Sequence, residues 1–148
     1  MNPSDISSPV ALVVNSHHAV RRALCDRIRA SFANFQLREA ASVEDALYIL
    51  GEEHVDIVLI DGEATGIDGL KGTRAILERS PTSSVIVMSA INEPTCRSAA
   101  SRAGAMAFVS KRAIGSELMH VLEDLMGQRR PSDDDDPSGK LDPPPTPP

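Results

Sequence analysis

Apolar and polar positions alternate between two periods along most of the chain. Val10–Asn15 (VALVVN) is a short, β-branched apolar run, the mark of a buried strand. From His17 to Phe32 the period lengthens: Val20, Leu24 and Ile28 fall four apart, on one face of a helix. Gln36–Ala40 (QLREA) reads as a second, more polar strand. Ser42 with Asp45 three positions on marks a helix start, and the helix runs to about Leu50. Val55–Asp61 (VDIVLID) is a third strand, nearly continuous in apolar residues apart from Asp56. Asp68 suits the cap of a helix to about Arg79, stopped by Pro81. Ser83–Ser89 (SSVIVMS) is a fourth strand. Pro94 suits a first helical position, and Gly104 the position just past that helix. Ala105–Ser110 (AMAFVS) is a fifth strand. A last helix spans Ser116 to Met126, with Leu118, Val121, Leu122 and Leu125 on its inner face.

Five strands alternating with amphipathic helices imply an α/β fold with a parallel sheet covered on both faces. Right-handed crossovers make it an open, doubly wound sheet. In such a fold the site lies outside the carboxyl ends of the strands. The informative residues are therefore those that end strands: Asn15 and Ser16, Asp61, Ser89 and Lys111.

Composition narrows the reading. The length, 148 residues, suits one domain. Fifteen Lys and Arg against 21 Asp and Glu give a net charge of -6, which argues against a general nucleic-acid backbone binder. No apolar run approaches the roughly 20 residues of a membrane span, and MNPSDISSPV lacks a signal-peptide pattern. Cys25 and Cys96 make neither a disulfide framework nor a zinc site, so a cytoplasmic, reducing setting is expected. Seven of the 11 prolines lie in Pro131–Pro148, with five aspartates against Lys140. Such a segment cannot offset its ordering entropy. The expected organisation is a loose 1–8, a folded 9–127 and a disordered acidic, proline-rich 128–148.

A carboxylate, a hydroxyl and an ammonium thus end strands three, four and five. An aspartate can act as a nucleophile and form an acyl phosphate. A lysine supplies fixed positive charge to a transferring phosphoryl group, and a hydroxyl can hydrogen-bond its oxygens. Each residue alone is weak evidence; their joint placement carries the reading.

The chain resembles the receiver domain of bacterial two-component response regulators (the CheY-like group) over residues 9–127. VDIVLIDGEATGIDGL (Val55–Leu70) resembles the segment that delivers the phosphoacceptor aspartate and then opens the third helix with Asp-Gly, here Asp68-Gly69. VIVMSA (Val85–Ala90) and AGAMAFVSK (Ala103–Lys111) resemble the fourth- and fifth-strand segments. LVVNSHHAVRRAL (Leu12–Leu24) resembles the start of receivers that precede helix-turn-helix output domains. The resemblance implies a flavodoxin-like (βα)5 sheet of order 2-1-3-4-5. It implies Asp61 as phosphoacceptor, Ser89 as the hydroxyl that moves toward phosphate, Phe108 as the aromatic that rotates inward, and Lys111 as the phosphate clamp. It also implies a histidine kinase or phosphotransfer protein as donor. Output would pass to a protein partner or a homodimer through the face of helix four, strand five and helix five. Neither direct DNA binding nor an enzyme activity is expected, because no output domain follows.

The departures matter as much. The family's acidic pair after strand one, which holds Mg²⁺ beside the acceptor, is here Asn15 and Ser16. Mg²⁺ prefers anionic oxygens. Its binding by Asn15, Ser16, Asp61 and Glu63 should be weak, with the Glu63 carboxylate either compensating or repelling phosphate. Ala64-Thr65 stand where the family has Met-Pro, and Arg112 follows Lys111 where it often has proline. The reading preferred here is an atypical single-domain regulator acting by protein–protein contact without phosphorylation. A conventional phosphoacceptor is the alternative. A flavin enzyme would need a Thr- and Gly-rich first loop, which NSHHAV (Asn15–Val20) is not. His17 and His18 read as loop or capping residues, and Cys25 and Cys96 as packing thiols.

Overall fold

A computed structural model describes residues 8–63, 69–91 and 93–127. Five parallel strands alternate with five α-helices: β1 (Val10–Val14), α1 (His18–Ser31), β2 (Gln36–Ala40), α2 (Val43–Glu52), β3 (Ile57–Asp61), α3 (Gly69–Arg79), β4 (Ser84–Ser89), α4 (Pro94–Arg102), β5 (Ala107–Ser110) and α5 (Met119–Gly127). The sheet order is β2-β1-β3-β4-β5, as the resemblance implied.

Strand periodicity of two divides the core. Val13, Leu59, Met88 and Val109 face α1, α5 and the turn before α5, meeting Cys25, Ile28, Leu118 and Leu122. Leu12, Ile60, Val87 and Phe108 face the other way, toward Ala46, Ile76 and Ala100 of α2, α3 and α4. Both faces of the sheet are therefore covered, which is why all its strands but the more exposed β2 read as nearly continuous apolar runs.

Local chemistry sets the ends. The Ser42 hydroxyl accepts from Asp45 N at 3.1 Å and starts α2. Pro94 opens α4, and Gly104 closes it at φ +103°, where an L side chain would be strained. β1 and β2 begin where the sequence pattern placed them, whereas β3, β4 and β5 begin one or two residues later than their apolar runs suggest. Ser83 Oγ takes the Val55 carbonyl at 2.7 Å, and Ala105 N turns back to Ala100 O of α4 at 3.0 Å. The chain after β5 winds sooner than expected, through a 3-10 turn (Lys111–Ala113) and a π turn (Ile114–Leu118) before α5. Ser110 drives this: its hydroxyl accepts from Arg112 N, and its own N–H donates to the Glu117 carboxylate. No peptide bond among the described residues is cis. No helix among them is long and apolar enough to cross a membrane. The expectations for the N-terminus, the Asp68 cap, the Ala64-Thr65 loop and the acidic tail fall outside the described residues.

Candidate functional site

Parallel pairing brings the strand ends to one edge of the sheet. Asp61 stands opposite Met88, and Ser89 opposite Ser110, so β3, β4 and β5 deliver Asp61, Ser89 and Lys111 side by side. Asn15 follows β1, whose Val14 pairs with Ile60. Asn15, Asp61 and Ser89 are buried, whereas the Lys111 side chain keeps 31% of its surface exposed. Gly62 N donates to Met88 O at 2.7 Å, carrying the β3–β4 ladder one residue past Asp61, and the chain turns at Gly62 and Glu63. Gly69 then lies against that turn: a Cβ there would fall 2.6 Å from Gly62 Cα. The Gly of the Asp-Gly pair is required by this close approach of α3 to the turn.

The polar contacts form one connected set. Asp61 Oδ2 lies 2.6 Å from Lys111 Nζ and accepts from Asn15 Nδ2 at 2.9 Å. Asp61 Oδ1 accepts from Glu63 N at 2.7 Å. Asn15 Oδ1 is engaged elsewhere, by His17 N at 2.7 Å, so the amide presents its donor to the carboxylate. The Glu63 side chain leaves Asp61 and reaches the neighbouring strand ends. Its Oε2 accepts from Ser89 Oγ at 2.5 Å, and its Oε1 accepts from Ala90 N at 3.0 Å and Lys111 Nζ at 3.1 Å. Ser89 Oγ also accepts from Ile91 N at 3.0 Å.

Electrostatics follow the contacts. Burial pushes the Glu63 carboxyl up, but the bonds from Ser89, Ala90 and Lys111 outweigh it and hold the group below the usual carboxylate range. Burial pulls the Lys111 ammonium down, and the bonds to Asp61 and Glu63 outweigh that and raise it. Both groups are therefore charged near neutrality, so two carboxylates share one lysine.

The structure thus brings Asn15, Asp61, Glu63, Ser89 and Lys111 together. Ser16 is exposed beside them. Phe108 is buried on the same sheet face as Val87, with the Arg97 guanidinium 5.0 Å from its ring centroid. Its ring and Ser89 line a cavity of about 440 Å³, together with Glu63 and Cys96. A second cavity of about 490 Å³ lies toward α1, lined by Asn15, Arg27, Asp61 and Lys111 among others.

Comparison with known proteins shows the family. The family model described as "Response regulator receiver domain" matches residues 11–123. The chain belongs to that family. As a receiver domain it is a module of two-component signalling. It is 30% identical over 115 residues to the transcriptional activator protein ExaE of Pseudomonas putida, covering 78% of this chain and 54% of ExaE. It is 30% identical over 120 residues to the response regulator UvrY of Escherichia coli, covering 80% of this chain and 55% of UvrY. The chain thus spans about half the length of these curated relatives. A solved LuxR-family two-component response regulator from Aurantimonas superposes with a TM-score of 0.75 at 25% identity, covering 84% of this chain and 89% of that one.

Two features of this receiver escaped sequence reasoning. Arg21 donates through Nη1 to the Asn15 carbonyl at 2.7 Å and pairs through Nε with Glu39 at 2.9 Å, so a guanidinium stands behind Asn15. Nothing in the α1 pattern distinguishes Arg21 from Arg22 beside it. The place of the Glu63 carboxylate also escaped, although its spacing of two after Asp61 was a usable signal. A backbone N–H two residues past an aspartate readily bonds that aspartate's side chain and turns the chain.

Proposed function

We propose that this receiver is an atypical one, acting through protein–protein contacts independently of phosphorylation at Asp61. The observation that carries the reading is the Asn15 amide nitrogen, 2.9 Å from Asp61 Oδ2. Metal-assisted phosphoryl transfer needs anionic oxygens at that place. An N–H donor there repels a cation. The Asn15 oxygen is held by His17 N, and the Arg21 guanidinium on the Asn15 carbonyl adds positive charge behind it. Ser16 offers a neutral oxygen, and the Glu63 carboxylate is committed to Ser89, Ala90 and Lys111. This donor set does not fit Mg²⁺.

In this reading Asn15 and Lys111 hold the Asp61 carboxylate in place of a metal. Partners are proteins: a histidine kinase or phosphotransfer protein that the receiver sequesters, and a downstream protein or second copy on the face of α4, β5 and α5. The net charge of -6 supports protein over nucleic-acid partners. The second reading is a conventional phosphoacceptor. It is favoured by the retained trio: Asp61 beside Lys111 at 2.6 Å, with Ser89 at the next strand end.

Intact-protein mass spectrometry after incubation with a small acyl-phosphate donor separates the two, run with and without Mg²⁺ and with Asp61→Asn alongside. The proposed function expects no Mg²⁺-dependent adduct. An adduct on the wild type that disappears in Asp61→Asn establishes the conventional reading instead.

A further inference from the structure

The groups suited to grip a transferred phosphoryl group are a hydroxyl, a backbone N–H and an ammonium. In this receiver those three groups, Ser89 Oγ, Ala90 N and Lys111 Nζ, all bind one carboxylate of the chain itself. We infer that Glu63 is a built-in occupant of the phosphoryl cradle: it stands where phosphoryl oxygens would bind and holds Ser89 and Phe108 in the bound arrangement. The inference rests on the assignment of Asp61, Ser89 and Lys111 as the phosphoryl-handling site.

The backbone explains how Glu63 gets there. Its N–H closes a turn onto Asp61 Oδ1 at 2.7 Å. That turn sends the side chain back across the ends of β4 and β5, where the two oxygens meet three donors. Ser89 is drawn toward Glu63 by its hydroxyl bond, on the same sheet face as Phe108. Phe108 is 2% exposed, so the aromatic already lies inward without any phosphoryl group. The cavity shared by Glu63, Ser89 and Phe108 couples the three: a Ser89 released from Glu63 can turn into it and displace the ring. Glu63 keeps 36% of its side-chain surface exposed, so its removal leaves the core intact and opens the cradle to small anions.

The test is an NMR titration of the full chain with acetate and with inorganic phosphate, with no phosphodonor and no metal. The resonances followed are the Ala90 amide and the Phe108 ring. Wild type should show no saturable response at either. Glu63→Ala should displace both sets of resonances, and acetate should return them toward the wild-type positions, saturably. Phosphate should bind Glu63→Ala at least about tenfold more tightly than wild type, the scale of charge-assisted hydrogen bonds regained in a vacated site. Glu63→Gln, nearly isosteric, should show part of the displacement, because its amide offers one neutral acceptor. Unchanged Phe108 resonances in Glu63→Ala, or equal phosphate affinity in both proteins, would overturn the inference. A phosphoryl adduct on wild-type Asp61 beside the expected Glu63→Ala response would instead remove the phosphorylation-independent reading and leave the Glu63 assignment standing.

Discussion

Replacing Asn15 by aspartate converts the amide that steadies Asp61 into a second buried carboxylate. The wild-type bond, Nδ2 to Oδ2 at 2.9 Å, joins two residues that are each no more than 2% exposed. Losing a hydrogen bond to a charged group costs about 1.5–3 kcal/mol. Two carboxylate charges about 4 Å apart add a repulsion of about 4 kcal/mol at an effective dielectric of about 20. The pair can escape that repulsion by binding a proton, at about 4 kcal/mol for an ordinary carboxyl at pH 7. Lys111, 2.6 Å from Asp61, offsets part of either cost. The two costs together reach about 5.5–7 kcal/mol, and with about half of that offset the expected loss for Asn15→Asp without metal is about 3–4 kcal/mol, or roughly 12–16 °C in Tm for a domain of this size. Mg²⁺ should then recover most of it, because the new carboxylate supplies an anionic ligand: at 100 times Kd the recovery is about 2.7 kcal/mol. Wild type should shift by less than about 1 °C under the same Mg²⁺, since it binds the ion weakly. Thermal unfolding of both proteins with and without Mg²⁺ gives the four values needed. A wild type that Mg²⁺ stabilises as strongly as the variant, or a metal-free variant as stable as wild type, would refute the reasoning.

Lys111→Met leaves the buried Asp61 charge without its ammonium and should cost about 1–3 kcal/mol by urea unfolding, less than a fully buried pair because Lys111 is partly exposed. Gly69→Ala should cost about 1–3 kcal/mol, because its Cβ would meet the Gly62 backbone at 2.6 Å. Gly115→Ala should cost much less by the same assay, since there the Cβ meets only the movable tip of Arg27. Burial pushes the Glu39 carboxyl up, but Arg21 and Arg22 outweigh it and hold it low. Its contribution to stability is therefore present above the ordinary carboxylate value near 4.5 and lost as pH falls through the depressed folded value. Between about pH 6 and about pH 3, Glu39→Gln should lose less stability than wild type, and equal slopes would contradict this.

The sheet was legible because β1, β3, β4 and β5 are buried on both faces, so their sequences show as apolar runs between turn signals, while the half-exposed β2 showed only as a short polar strand. What the pattern could not show was where a side chain intercepts the ladder, as Ser83 does at Val55 and Ser110 does after β5. The rule that strand ends carry the site located Asn15, Asp61, Ser89 and Lys111, because parallel pairing needs only element order to bring those ends together. The direction of an amide or a carboxylate is another matter. Asn15 presents nitrogen to Asp61 because His17 N claims its oxygen, and Glu63 crosses to Ser89 because its own N–H is bound to Asp61. Both depend on single hydrogen bonds that composition and periodicity do not encode. Gly69 was read as part of a motif, while its physical reason, the approach to Gly62, needed the fold.

The central claim is that the Asp61 site is satisfied from within and holds one switch state. The most direct test is the amide and aromatic NMR spectrum of the full chain before and after a phosphodonor with Mg²⁺. The account predicts no change at Ser89, Ala90, Phe108 or Lys111. Changes that spread through those residues, and that vanish in Asp61→Asn, would contradict it.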